Sequence, residues 1–214
     1  MYYWNDFIND INKTIQPKQT VFDAGAGDGH WRKNLPKDIK YISMDLGVGD
    51  VNVDYSHLDI KGDLRQIPLE DNSIDVIICI QVLEHLPEPW LVLKEFQRIL
   101  KKGGFIYASC PQGEPQHQIP YDFFRYTKYG LKSIFETNGL AINFIIPQKG
   151  NLNKISNDIT HTANHLSKLD FNSKLFGIYL KIFTKTHHLL FKYFDSKKGL
   201  DTNTIGHFIK ANKI

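Results

Sequence analysis

The densest chemical signal in the chain is one turn, Val21-Phe22-Asp23-Ala24-Gly25-Ala26-Gly27-Asp28-Gly29-His30-Trp31. An apolar run ends at an aspartate, the backbone turns through alternating glycines, and a helix is expected to follow. Glycines admit positive φ and let a ligand approach without interference from a Cβ. The free amides of a helix start favour an anionic group. A dinucleotide loop, G-x-G-x-x-G, would use these forces on a pyrophosphate, but the spacing here is G-x-G-x-G. His30 stands where the last glycine of that pattern would fall. A tight turn with no ligand is the plain alternative, and two later acids weigh against it. Asp45, at the end of a second strand, can accept hydrogen bonds from both hydroxyls of a ribose. Asp63 can accept from an adenine amine, while Leu64 offers a backbone amide and an apolar contact. Acids at the carboxyl ends of successive strands converge on one crevice in open α/β sheets.

A second group of chemically capable residues is Gln116-His117-Gln118-Ile119-Pro120-Tyr121-Asp122-Phe123-Phe124-Arg125-Tyr126-Thr127. It is expected on a loop after the fifth strand, at the sheet end where such folds keep their sites. Aromatic faces with a few polar groups suit a sugar ring or another polar cyclic acceptor. Histidine is the side chain best suited to proton transfer near neutral pH, and His117 is the candidate general base for a hydroxyl. Tyr121, Asp122, Arg125 and Tyr126 are candidate acceptor contacts. The alternative is structural: Asp122 pairs with Arg125 and the aromatics pack the loop down. Cys79 and Cys110 end neighbouring strands and read as small buried thiols rather than a redox pair. His161, His165, His187 and His188 form no convincing set with carboxylates, so no metal is expected.

These groups need elements to hold them. Strands are expected at Val21-Phe22-Asp23, Tyr41 to Asp45, Ile74 to Cys79, Gly104 to Ser109 and Ala141 to Ile146. Their apolar character suits a mainly parallel, twice-covered sheet. Trp90 to Leu100 places Leu91, Leu93, Phe96, Ile99 and Leu100 at helical spacing after Pro87 and Pro89 and before Gly103-Gly104. Thr127 can cap a further helix carrying Leu131, Ile134 and Phe135, with Gly139 as its left-handed end. The fold class is therefore α/β, a doubly wound Rossmann-like sheet.

At this point the sequence resembles the class I S-adenosylmethionine-dependent methyltransferases, especially the type-11 group. Asp23 to Gly29 looks like that family's first motif, Asp45 like its acidic ribose position and Asp63-Leu64 like its adenine position. Ser73 to Leu86 looks like the fourth motif. Leu100-Lys101-Lys102-Gly103-Gly104 resembles its L-K-P-G-G turn, with Lys102 in place of proline. The resemblance covers about residues 20–147. It implies a seven-stranded sheet, mostly parallel, with an antiparallel last strand at about 203–212. It implies S-adenosyl-L-methionine as cofactor and S-adenosyl-L-homocysteine as product. Asp23, Gly25, Ala26, Gly27, Trp31, Asp45, Leu46, Asp63, Leu64, Ile80 and Gln81 would hold the cofactor, with Ile80 and Gln81 along its methionine half. His85 would contact the acceptor or merely close the turn before Pro87. The implied activity is methyl transfer to a small-molecule oxygen. A stretch similar to H-x-x-P-x-D-F-F-R-Y-T in relatives associated with surface polysaccharides suggests, by analogy, a saccharide or lipid-linked saccharide acceptor. The rivals are a non-catalytic module that only binds the cofactor and, less favoured, a nicotinamide-dependent oxidoreductase.

The chain has 214 residues, 42% hydrophobic and 23% charged, with a net charge of +3, which suits a globular protein and not a polybasic nucleic-acid arm. That average hides a split. Residues 1–150 carry 16 basic and 19 acidic side chains, a net of −3; residues 151–214 carry 10 and 4, a net of +6. The division expected is a cofactor-binding core at 1–150, then a basic helical insertion at about 151–198 and the final strand, which completes the same domain. Residues 172–194 read as one amphipathic helix with Leu175, Phe176, Tyr179, Leu180, Phe183, Leu190, Phe191 and Phe194 on a stripe. Lys174, Lys181, Lys185, His188 and Lys192 flank it. The stripe either packs on the domain or touches an anionic membrane surface. Two cysteines, no signal-peptide pattern and no long apolar run point to a cytoplasmic protein, peripherally membrane-associated at most.

Overall fold

A computed structural model describes residues 4–48, 53–148, 150–195 and 203–214. The chain forms two compact units: Trp4–Ile146 with Gly206–Ile214, and Pro147–Ile205.

The larger unit is built on a seven-stranded sheet. Its strands are β1 (Thr20–Ala24), β2 (Lys40–Asp45), β3 (Ile60–Lys61), β4 (Ile74–Ile80), β5 (Leu100–Pro111), β6 (Leu140–Pro147) and β7 (Gly206–Lys213). Their order is β3-β2-β1-β4-β5-β7-β6. The β1–β2, β1–β4, β2–β3 and β4–β5 pairs are parallel, and β7 runs antiparallel to β5. The order reverses between β1 and β4, and that reversal fixes where a ligand crevice opens. Phe22, Ile77, Ile78, Ile106 and Ala108 are fully buried, as expected of strands covered on both faces.

Helices α1 (Trp4–Thr14), α2 (Pro89–Ile99) and α3 (Lys128–Thr137) cover the sheet. In α2 the buried face is Val92, Leu93, Phe96 and Ile99, whereas Leu91, expected inside, is exposed. Thr127 caps α3 by accepting from the Gly130 amide at 3.1 Å, and Gly139 takes a left-handed φ of 74°. The sequence reading marks no helix at α1. Its segment WNDFINDINKT is rich in Asn and Asp, which are poor helix formers. The burial of Phe7 and Ile11 holds it, with Phe7 stacked on Phe208 at 4.5 Å.

The helix expected after the glycine turn is only a 3₁₀ segment, His30–Asn34. Pro36 accounts for its brevity: Leu35, the residue before proline, is held extended. The expected start of β5 is also moved. The strand begins at Leu100 and absorbs a register shift between the Ile74 and Val76 pairings, with Gly103 at φ 75°.

The smaller unit contains α4 (Asn151–Leu166) and α5 (Phe171–Asp195). Gly177 lets the two approach closely, since a Cβ there would lie 2.8 Å from the Ala163 carbonyl oxygen. Leu175, Phe176, Tyr179, Leu190 and Phe194 of the expected stripe are exposed, and Leu180 and Phe183 are half-buried. The side chains of His188, Phe191 and Lys192 lie outside the described residues. Among the described residues no helix is long and apolar enough to cross a membrane.

Candidate functional site

Gly25, Gly27 and Gly29 all have positive φ, at 75°, 55° and 68°. At Gly25 the reason is steric as well as conformational. A Cβ would stand 2.4 Å from Cγ2 of Val82, so the loops that leave β1 and β4 meet with room for a hydrogen only. The turn differs from the anion cradle that its spacing suggests. The Gly25 and Ala26 amides donate to the Met44 carbonyl at 2.8 and 3.1 Å, and the Gly29 amide donates to the Ala26 carbonyl at 2.8 Å. The Gly27 amide donates to Asp45 Oδ2 at 3.0 Å, and the His30 amide to Asp28 Oδ1 at 3.1 Å. These amides are occupied because β1 and β2 end in register, which sets Met44 and Asp45 beside the turn. What the turn offers a ligand is close approach rather than free donors.

Asp45 also accepts from the Gly47 amide at 2.8 Å. A carboxylate has about four acceptor sites, so two remain for a ligand. Asp63 is held by the Arg65 fork at 2.7–3.2 Å, and Arg65 reaches on to Glu88 at 2.6 Å. That guanidinium holds the Asp63 carboxyl below its ordinary range. Asp23 is of another kind. It is buried beneath the turn and accepts from the Tyr41 hydroxyl; burial raises its pKa to about 6, with the Tyr41 bond opposing the shift.

A cleft of about 370 Å³ opens at the switch point, a size that suits a small-molecule ligand. Gly25, Gly27, Asp45, Leu46, Asp63, Leu64 and Gln81 line it, and so do His85 and Tyr121. The other residues singled out in the sequence are near it but not on its wall. Asp23 and Ala26 are buried behind it. Trp31 turns to Trp4, with ring centroids 5.6 Å apart, and Ile80 is not among the lining residues. Val48, Val53, Tyr55, Arg65, Val82, Gln118 and Phe123 line the cleft without having been singled out. Of these, Val82 had a signal, the residue after Gln81 in the fourth motif; Tyr55 had none.

The loop from Gln116 to Thr127 closes one side. Arg125 donates to both oxygens of Asp122 at 2.6 and 2.8 Å, and to the carbonyls of Glu114, Pro115 and Phe124, each at 2.8 Å. The guanidinium keeps the Asp122 carboxyl far below the usual range. Tyr126 is buried and donates to the Leu83 carbonyl at 2.9 Å. Asp122, Arg125 and Tyr126 thus act as braces of the loop, the structural alternative of the sequence reading. Gln118, Tyr121 and Phe123 are the members that line the cleft.

Behind this wall lies a polar cluster. His117 is half-buried, its amide donates to Asp122 at 2.9 Å, and its Nδ1 lies 3.0 Å from the Pro115 carbonyl. Its ring meets His85 edge to face at 4.8 Å. His85 pairs through Nδ1 with the Tyr121 carbonyl, and its buried Nε2 has no partner among the described residues. Glu84, within the stretch that resembles the fourth motif, is fully buried, and neither of its carboxyl oxygens has a partner among the described residues. Burial raises its pKa to about 8.

Comparison with known proteins bears on this arrangement. Residues 22–108 match the Methyltransf_11 family model, a methyltransferase domain. A "Probable S-adenosylmethionine-dependent methyltransferase" of Mycolicibacterium smegmatis is 31% identical over 134 residues, covering 57% of this chain and 52% of that protein. A ubiquinone biosynthesis O-methyltransferase of Acinetobacter baylyi is 26% identical over 110 residues, 46% of each chain. The chain thus spans about half the length of these curated relatives. The solved structure of the YcgJ protein from Bacillus subtilis superposes with a TM-score of 0.55 at 16% identity, covering 97% of this chain and 96% of that one; this shows the fold alone. The sheet order, the glycine turn and the family match agree: residues 22–108 are similar to the methyltransferase domain of S-adenosylmethionine-dependent methyltransferases.

Proposed function

We propose that the chain transfers a methyl group from S-adenosyl-L-methionine to an oxygen of a small-molecule acceptor in the switch-point cleft. The observation that carries this reading is the convergence of Gly25, Asp45, Asp63-Leu64 and Gln81 on one 370 Å³ cleft. The residues fit the cofactor: Asp45 has two acceptor sites left for ribose hydroxyls, and the bare Gly25 backbone admits a close chain. When bound, the cofactor supplies an electrophilic methyl on a sulfonium and leaves as S-adenosyl-L-homocysteine. The protein's share is alignment and exclusion of water. Leu64 and Leu46 offer apolar contact to the adenine, and Gln81, tied to Ser109 Oγ at 3.0 Å, fixes the wall of the methionine half. A hydroxyl acceptor must also lose its proton. His117 is our candidate base, in an edge-to-face pair with His85, the member that lines the cleft.

Tyr55, Tyr121 and Phe123 on the wall support a ring-shaped, polar acceptor such as a saccharide. On α5, exposed Phe176, Tyr179 and Ile182 with exposed Lys174, Lys181 and Lys185 support peripheral contact with anionic lipid, and hence a lipid-linked acceptor. Two measurements test the reading. S-adenosyl-L-homocysteine should raise the melting temperature while NAD and NADP do not, since a native-state ligand stabilises by mass action; the reverse pattern removes the proposal. Labelled methyl should appear on saccharide acceptors in preference to catechols, and α5 should drive sedimentation with anionic vesicles at low salt. Transfer to catechols alone, or no vesicle binding, removes the corresponding part.

A further inference from the structure

The cluster of buried Glu84 with the partly buried His85 and His117 is unused by cofactor binding. One potential ligand atom from each of the three lies within 4.8 Å of the other two. The two histidines are prepared in the same way. Each has Nδ1 at a backbone carbonyl, Tyr121 for His85 and Pro115 for His117. A carbonyl only accepts, so Nδ1 carries the proton and Nε2 keeps a lone pair. That is the arrangement usual around metal-bound histidines, whose other ring nitrogen donates to a carbonyl or carboxylate. His85 Nε2 is buried, has no partner among the described residues, and lies 3.8 Å from Glu84 Oε1. Glu84 is fully buried and both its oxygens lack a partner among the described residues. A buried carboxyl with no partner costs free energy that a cation, taking the place of its proton, would offset.

We infer that Glu84, His85 and His117 form a site for one divalent transition-metal ion, with zinc as the best match to its ligands. Two neutral imidazoles and one carboxylate are a known zinc donor set that leaves the fourth position open. Bonds of about 2.0–2.1 Å to a tetrahedral ion put ligand atoms roughly 3.3 Å apart. Glu84 and His85 are within half an ångström of that separation. The remaining closure falls to His117, which is half-buried and would move with the loop that carries it, keeping its Nδ1 at the Pro115 carbonyl. Because His85 also lines the cleft, the open position would be next to the acceptor. With the ion bound, His117 is a ligand and no longer the base, and the ion takes over the task of making a bound hydroxyl reactive. Binding of the ion itself does not depend on the methyl-transfer reading.

The test uses the full chain, stripped of metal by a chelator and titrated with zinc, with cobalt as a spectroscopic stand-in. One equivalent should bind, and the cobalt complex should give the intense visible bands of a tetrahedral site. Glu84→Gln and His117→Ala should each weaken binding by at least about ten-fold. A preserved thermal response to S-adenosyl-L-homocysteine would show that both variants are folded. No stoichiometric binding, or binding that both variants retain at full strength, overturns the site. A failed cofactor response with intact metal binding would instead count against the function proposed above.

Discussion

The two sides of the cleft are finished differently. On the glycine-turn side the amides from Gly25 to Gly27 already have acceptors, and Asp45 is held by two of the backbone donors it faces. On the loop side Glu84 and His85 hold three buried polar atoms without partners among the described residues. A side that is satisfied before the ligand arrives is rigid and presents one shape. A side with hydrogen-bonding capacity in reserve is where recognition of a second molecule, or an ion, can still gain free energy. The difference teaches that the glycine-turn wall is built for fit, while the loop wall keeps bonding capacity in reserve.

Breaking the fit should have the largest effect. Gly25→Ala puts a methyl group into Val82 and a side chain at positive φ. A loss of about 2–4 kcal/mol in urea-unfolding stability is expected, with loss of the cofactor thermal response. Adding Val82→Ala should recover part of it; no recovery would mean that the contact is not the cause. Next comes Asp23. Its folded pKa of about 6 exceeds the ordinary carboxyl value, so the native state binds the proton more tightly than the unfolded chain. Its contribution is present at low pH and is lost as pH rises through about 4 to 6, by roughly 2–3 kcal/mol. Asp23→Asn should flatten that part of a stability-against-pH curve, and an unchanged slope would refute the assignment.

Asp45→Ala removes the acceptor of two amides and the proposed ribose contact. Affinity for S-adenosyl-L-homocysteine by calorimetry should fall about ten- to a hundred-fold, corresponding to roughly 1.4–2.8 kcal/mol. Equal affinity would move the ribose elsewhere. The smallest effect is on the loop wall. Tyr126→Phe deletes one buried hydrogen bond to Leu83 and should cost about 1–2 kcal/mol of stability while leaving cofactor affinity unchanged. A matching loss of affinity would show that the two walls are not independent.

Much of the cofactor wall was legible because its signals are local. Gly25, Asp45 and Asp63 owe their positions to the strand ends they follow, and strand ends are readable from apolar runs. The 3₁₀ segment after the turn was less so, because Pro36 acts seven residues beyond the last glycine. The loop wall was legible in composition but not in role. Asp122 and Arg125 look like ligands of a substrate, yet three residues apart they satisfy each other and the carbonyls beside them. Glu84 reads as ordinary motif chemistry; its burial arises only in the fold. There the loop docks on the 3₁₀ segment that carries it, and the Phe123 and Phe124 amides donate to its carbonyl. Helix α1 was hidden for the converse reason, since its stability comes from Phe208, two hundred residues away in sequence.

That same distance has a kinetic meaning. β7 is inserted between β5 and β6, although it comes from Gly206–Lys213 and the whole of Pro147–Ile205 precedes it. During synthesis β5 and β6 would therefore emerge without the strand that joins them. Two strand edges would stay open until Gly206–Lys213 is released. The final zipping closes a long chain loop, which makes it slow but only weakly dependent on that loop's length. The segment between β6 and β7 is thus free to grow, shrink or be exchanged at little thermodynamic cost, while the sheet around the cleft stays the same.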